Sequence, residues 1–424
     1  MDFGLERIHC LLELVGNPHK RLNVVHVAGT NGKGSVCAYV ASVLQQHGLR
    51  VGRFNSPHFL EPRDSIQINA EPVSQPLFDE ACAYIMTTDA QHGLGATSFE
   101  RLVASALWLL DKQQVEVAVI EVGLGGEQDA TNVFEQPLMT IITAIGWDHA
   151  GLLGNSVPLI ARAKAGIMKK GCPVVIAPQE DEPGALKILV DYAQQVGAPY
   201  VVVKPATASQ GTLHLDQYVD ERWQIQYDYQ IALHGEYQRA NSATAVAALD
   251  WLGRRAVFHL RREDLQKGMA QTRWPGRLDW VSLSTDLGGS VPEILVDGAH
   301  NPPATRALRT YINTVMQHRS FSRVIWILGA TAGKDLGEML SQLLQSKDEV
   351  LSVPFSQPAG MPWIHCLPPQ EIADQAKAMT VNAHACKDLT TALQQVGTMY
   401  CSGQDLVVLC GSLYLVADFY RSLR

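Results

Sequence analysis

A lysine set between two glycines and followed by a serine can bind phosphate. Gly29-Thr30-Asn31-Gly32-Lys33-Gly34-Ser35 follows the apolar run Leu22–Ala28 and precedes a helical pattern from about Gly34 to His47. A nucleotide's phosphates need several backbone N–H donors aimed at one point, and a cation. Glycines let the chain wrap closely around an anion, and the following helix adds its N-terminal dipole. Lys33 can reach the β- and γ-phosphates, and the Ser35 hydroxyl can contact Mg²⁺ or a phosphate oxygen. The spacing G-x-x-G-K-G-S is one residue shorter than the common G-x-x-x-x-G-K-[ST] loop. A glycine turn with a solvent lysine is the bland alternative, but the strand before and the helix after speak against it. By itself the loop also permits a phosphotransferase, a switch NTPase or a catalytically silent nucleotide-binding module.

Other apolar runs end in possible metal ligands. Ser56 lies in Asn55-Ser56-Pro57-His58, Glu121 precedes the Gly123–Gly126 loop, and Asp148-His149 closes a further run. Oxygen ligands suit Mg²⁺, which usually keeps waters and shares substrate phosphates. A histidine is an unusual ligand for it. Read alone, His149 is more often structural and Lys164 is more often a surface lysine.

The elements that must hold these residues alternate. LNVVHVAG, VEVAVIEVGLGG, LMTIITAIGWDH and CPVVIAP read as buried strands, with helical patterns between them. Such alternation implies an α/β fold with a mainly parallel sheet covered by helices on both faces. In such sheets ligands collect beyond the C-terminal strand ends, where the polar motifs fall. Residues 200–230 alternate in a β-rich pattern and read as an antiparallel flank. A helix follows with Gln238, Asn241 and Ala245 on one face. A second α/β series begins near 280. Pro275 and Gly276 break any helix at Trp274–Arg277, which divides the chain into domains 1–278 and 279–424.

Composition excludes several classes. With 46% hydrophobic and 18% charged residues over 424, the chain can bury large cores and is not disordered. The net charge of −8, without a Lys/Arg cluster, speaks against a nucleic-acid partner. The eight cysteines form no C-x-x-C pair, which disfavours zinc and reads as reduced thiols. The first residues spell an amphipathic helix (Leu5, Ile8, Leu12, Val15) rather than a secretory signal, and no run is long enough to span a bilayer. A cytoplasmic, monomeric protein without membrane contact is expected.

Six motifs occur in one order: Gly29–Ser35, Ser56-Pro57-His58, Glu121–Gly126 with Asp129-Ala130-Thr131-Asn132, Asp148-His149 with Leu153-Gly154, Lys164–Ile167, and Asp297-Gly298-Ala299-His300-Asn301. This pattern resembles the folylpolyglutamate synthase/dihydrofolate synthase family, related to the Mur ligases, over nearly the whole chain. Gly360–His365 and Cys410–Leu415 are most similar to its fungal, single-function dihydrofolate synthase branch.

The resemblance implies a P-loop ATPase domain of Mur-ligase type and a smaller Rossmann-like C-terminal domain on the glutamate side, with ATP between them. It implies that Ser56 binds the Mg²⁺ accompanying ATP. Glu121 and His149, with Lys164 as a carbamate, would hold a second Mg²⁺, and a monovalent cation such as K⁺ is a further expectation. Lys33, His149 and Lys164 would be catalytic. Gly29–Ser35, Asn241, Arg277, Asp297 and His300 would bind ATP, with Arg277 offering a fork of donors to phosphate. Thr97, Phe99, Asp129 and Ala130 would face a pterin, although Phe99 also belongs to a helical packing stripe with Val103, Ala106 and Leu110. The implied reaction joins L-glutamate to 7,8-dihydropteroate at the expense of ATP. Extension of tetrahydrofolate tails, or both activities, is the alternative. Two positions depart from relatives. Glu127-Gln128 replaces Arg-Leu, and Ala163 stands where a Glu is usual.

Overall fold

The computed structural model describes residues 4–148, 150–255, 257–283, 291 and 293–424. His149 lies outside the described residues. The chain divides into two compact units, 1–232 with 237–273 and 233–236 with 274–424. The division falls between 273 and 274 rather than between 278 and 279, for a reason visible in the backbone. Gly298 N donates to Gly276 O at 2.9 Å and Leu278 N to Asp297 Oδ2 at 2.8 Å, so the 274–278 segment is bonded into the second unit.

In the first unit, eight strands form one sheet: β1 (Val24–Ala28), β2 (Val51–Phe54), β3 (Ile66–Ile68), β4 (Glu71–Pro72), β5 (Val117–Glu121), β6 (Met139–Ile142), β7 (Val174–Ile176) and β8 (Tyr200–Val202). Their order is β4-β3-β2-β5-β1-β6-β7-β8. β2, β5, β1, β6, β7 and β8 run parallel, while β3 and β4 add antiparallel edges. β1 and β5 are buried at every position, which accounts for their unbroken apolar spelling. One core joins Ile8, Leu11, Ile85 and Leu107 of three helices to Val24, Phe54 and Ile120. A second joins Ile160, Ala165 and Leu189 to Ile142 and Ile176.

The antiparallel flank is narrower than the β-rich stretch from 200 suggested. β9 (Thr207–Ser209), β10 (Thr212–Asp220) and β11 (Trp223–Tyr229) form it. Tyr200–Val202 instead pairs parallel with β7, because the helix Pro183–Val196 returns the chain as a βαβ crossover.

The strand order delivers four neighbouring C-terminal ends, β2-β5-β1-β6, to one edge of the first unit. They lead into Asn55–His58, Val122–Asn132, Gly29–Ser35 and Thr143–Asp148.

The second unit carries β12 (Asp279–Ser282), β13 (Glu293–Val296), β14 (Arg323–Leu328), β15 (Glu349–Ser352), β16 (Asn382–Ala385) and β17 (Asp405–Cys410). Their order is β12-β13-β17-β14-β15-β16, and only β12 is antiparallel. No described helix is long and apolar enough to cross a membrane.

Buried Asp348 ties this unit together. It accepts from Val324 N (3.2 Å), Trp326 Nε1 (3.0 Å), Gln345 N (3.0 Å) and Arg309 (3.4 Å). Removing it leaves buried donors unsatisfied, at a cost of about 3 kcal/mol. Asp348→Ala should lower the melting temperature by on the order of 5–10 °C in a calorimetric scan, while an unchanged melting temperature would contradict this role.

Candidate active site

The phosphate loop is built by backbone first. Gly29 has φ +149°, and a Cβ there would lie 1.9 Å from Thr143 Oγ1, so only glycine fits. Thr30 N and Asn31 N both donate to Ala144 O, at 2.9 and 3.2 Å, which fastens the loop to the end of β6. Gly32 (φ 91°) then opens the helix Lys33–Gln46, which no side chain among the described residues caps. The first-turn N–H groups of a helix lack intrahelical partners and favour an anion. Gln238 Nε2 donates to Ser35 Oγ at 3.3 Å, and Asn241 Nδ2 donates to Gln238 Oε1 at 3.2 Å. Asn241 also lies against Gly32, whose Cβ would stand 2.4 Å from Asn241 Oδ1. The helix Gln238–Arg254 therefore braces the loop from its own N-terminal turn.

Charge converges on a single carbonyl. Lys33 Nζ donates to Gly29 O (3.2 Å) and Thr30 O (3.2 Å), and Lys164 Nζ donates to the same Gly29 O at 2.7 Å. Burial, then the neighbouring Lys33 ammonium, pushes Lys164 down to about 7, with Asp148 and Asp129 opposing. Glu121 Oε1 stands 3.9 Å from Lys33 Nζ, and Glu121 Oε2 accepts from Asn55 Nδ2 at 2.7 Å. Ser56 Oγ is buried and has no hydrogen-bond partner among the described residues. Such an oxygen, next in the chain to the Asn55 that holds Glu121, fits a hard cation. Among the described residues no group of three or more His, Cys, Asp or Glu could hold a metal. The donors at hand are Ser56 and Glu121, together with the modifiable amine of Lys164.

The loop after β5 turns back on itself. Asp129 is buried and accepts from Leu124 N (2.8 Å), Thr131 N (3.0 Å) and Thr131 Oγ1 (2.6 Å). Burial raises its pKa against those bonds. The carboxylate is thus occupied in shaping its own loop. Glu127 N donates to Ala163 O at 2.8 Å, which places the Glu127 departure beside the Ala163 departure at the Lys164 helix. Ala130 is buried. Thr97 caps the helix Ser98–Lys112 by accepting from Glu100 N, and Glu100 returns a bond to Thr97 N. Phe99 is half-buried, tilted toward Phe54 at 6.4 Å, with its ring tip over Gly123. Val103, Ala106 and Leu110 of its stripe are core residues.

The second unit gathers its own cluster at the end of β13. Asp297 accepts from Leu278 N and Ala299 N, both at 2.8 Å. Burial raises its pKa, and the Arg277 guanidinium opposes this. Arg277 also lies beside Gly298, and His300 Nδ1 is 2.8 Å from Gly298 O.

Residues 27–249 match the family model of the Mur ligase middle domain, and residues 279–422 match that of the dihydrofolate synthetase C-terminal domain. A probable dihydrofolate synthetase of Schizosaccharomyces pombe is 36% identical over 426 residues, covering 100% of this chain and 99% of that one. Escherichia coli FolC in complex with DHPP and ADP has a similar structure, with TM-score 0.85 and 26% identity over 100% of this chain and 94% of that one. So does a bifunctional folylpolyglutamate synthase/dihydrofolate synthase with Mn, AMPPNP and L-glutamate bound, with TM-score 0.82 and 29% identity over 100% and 95%. Fold and site define an ATP-dependent ligase of Mur-ligase architecture. The chain belongs to the dihydrofolate synthase/folylpolyglutamate synthase family.

The structure brings Gly29–Ser35, Glu121, Lys164 and Asn241 together, and puts Arg277, Asp297 and His300 together in the other unit. Sequence reasoning passed over Asn55, Gln238 and Thr143 as functional supports. Asn55 had a signal, since it adjoins Ser56; Thr143 had none. Gly29→Ala drives a methyl into Thr143 and should weaken binding of an ATP analogue at least about tenfold in calorimetric titration. Unchanged affinity would contradict the loop geometry.

Proposed function

We propose that this ligase joins L-glutamate to 7,8-dihydropteroate, consuming ATP and giving 7,8-dihydrofolate, ADP and phosphate. The observation that carries the reading is Lys33 held on the Gly29 and Thr30 carbonyls, beside Glu121 and the uncapped helix, with the Lys164 amine at the same Gly29 carbonyl. Such a pocket is built for a polyanion in transfer. The choice of pteroate over a longer folate rests on the C-terminal family match and on the fungal relative.

A carboxylate resists an amine because oxide is a poor leaving group. The acceptor's carboxylate oxygen would attack the γ-phosphorus, releasing ADP and leaving an acyl phosphate. The glutamate nitrogen would then attack the carbonyl carbon, expelling phosphate and losing a proton. The N–H groups at Gly32–Ser35 would hold the phosphates, and Lys33 would sit against the charge of the transferring group. Asn241 and Gln238 keep that loop in place. Phe99 offers a ring face to a flat pterin, with Thr97 and Ala130 nearby in sequence to the pocket's wall. Arg277, Asp297 and His300 would serve the nucleotide from the C-terminal unit.

Ser56 would hold one Mg²⁺, and Glu121 with a carbamylated Lys164 and His149 a second; these ions supply charge neutralisation on the phosphates. Carbon dioxide adds only to a neutral amine. An amine near 7 is neutral above that pH and protonated below it, so carbamylation and activity should fall together as pH drops below about 7. ¹³C-bicarbonate should give a carbamate carbon signal that Lys164→Ala loses, with kcat down by about 10²–10³. Full activity in that variant would sink the carbamate role.

Purified protein with ATP and Mg²⁺ should form an amide from dihydropteroate and glutamate, and Lys33→Ala should lower kcat by about 10²–10³. Product from tetrahydrofolate alone would shift the substrate to a folate tail. No amide from either acceptor would overturn the proposal.

A further inference from the structure

A chain of three buried side chains runs beneath the loop after β5. His26, in the middle of β1, and Thr131 are fully buried, and Asp129 nearly so. His26 Nε2 lies 2.9 Å from Thr131 Oγ1, which lies 2.6 Å from Asp129 Oδ1. Phe134 stands edge-on to the imidazole at 5.5 Å between centroids.

Donor counting fixes the direction of each bond. Asp129 meets only donors in its hydrogen bonds: the N–H groups of Leu124 and Thr131, and the Thr131 hydroxyl. An ionised carboxylate, all acceptor, takes these three and has no O–H of its own to place. The Thr131 proton is therefore committed to Asp129, and His26 faces the hydroxyl's lone pairs. His26 must carry its own proton on Nε2 and leave Nδ1 bare. Nδ1 indeed has no hydrogen-bond partner among the described residues. Burial pushes the imidazole down to about 3, so it stays neutral and keeps this tautomer at working pH.

We propose that His26 and Thr131 are positioning residues for the acceptor side of the site: His26 orients the Thr131 hydroxyl, which locks Asp129 and with it the Gly123–Ala130 loop. This rests on the ligase reading above. The loop meets the site at two places. Gly123 lies under Phe99, where a Cβ would stand 2.4 Å from the ring tip. Gly126 and Glu127 lie on the Lys164 helix, a Cβ at Gly126 meeting Ala163 O and Lys164 O at 2.8 Å. A shift of the loop therefore moves the aromatic wall and the Lys164 backbone together. The backbone of the nucleotide loop is fastened elsewhere, to Ala144 and through Gln238, and meets this path only at the flexible end of Lys164, which donates to Gly29 O.

Thr131→Val keeps the shape and removes the hydroxyl, whereas Thr131→Ser keeps the hydroxyl. In Thr131→Val the acceptor KM should rise about tenfold to a hundredfold, with the ATP KM within about twofold of wild type, and Thr131→Ser should restore the acceptor KM. Backbone hydrogen–deuterium exchange over residues 122–132 should speed up in Thr131→Val and recover in Thr131→Ser. A merely structural loss would lower the melting temperature and kcat without splitting the two KM values, and that result overturns the proposal. So does an unchanged acceptor KM, or unchanged exchange in Thr131→Val. The exchange readout needs no turnover, so a wild-type enzyme that forms no amide would refute the ligase reading while the loop-locking claim is still decided.

Discussion

Two lysine ammonium groups donate to one backbone carbonyl, that of Gly29. Like charges at such range repel, and one of the pair is buried. The site tolerates them because Glu121, Asp148 and Asp129 stand near and because Lys164 is pushed toward its neutral form. This constraint shapes the chemistry available there. A pocket that keeps the Lys33 ammonium trained on a glycine loop favours a guest of high negative charge, while the Lys164 amine, near 7, is open to reaction with carbon dioxide.

The scaffold makes that convergence possible through strand order. Because β1 lies between β5 and β6, the Gly29 loop is flanked by the Glu121 loop on one side and Thr143–Asp148 on the other. The close approach to Thr143 explains why Gly29 is glycine. The Asn55 amide then aims one Glu121 oxygen, leaving the other toward Lys33. Lys164 reaches in from the last turn of the helix Val157–Ala165, which the Gly126–Glu127 backbone holds in place.

Much of this is legible in the sequence. The phosphate loop announces itself by glycine and lysine spacing, and buried parallel strands by unbroken apolar runs, because both signals are local. What could not be read depends on residues far apart in the chain. Nothing near Asn55 says that it binds Glu121, and nothing near His26 says that it meets Thr131 across β1 and the β5 loop. Asp129 looked like a carboxylate free for a ligand, yet the turn it belongs to supplies three donors of its own. Tyr200–Val202 looked like part of the antiparallel flank because its alternation is the same; only the preceding crossover helix decides its direction. The boundary between units shifted because Gly276 and Leu278 bond forward to the DGAHN turn.

The central claim is that ATP activates the acceptor's carboxylate as an acyl phosphate. Dihydropteroate labelled with ¹⁸O in that carboxylate, turned over with ATP and glutamate, tests it directly by ³¹P NMR of the released phosphate. The account predicts one ¹⁸O transferred to each phosphate formed; phosphate carrying no label would contradict it.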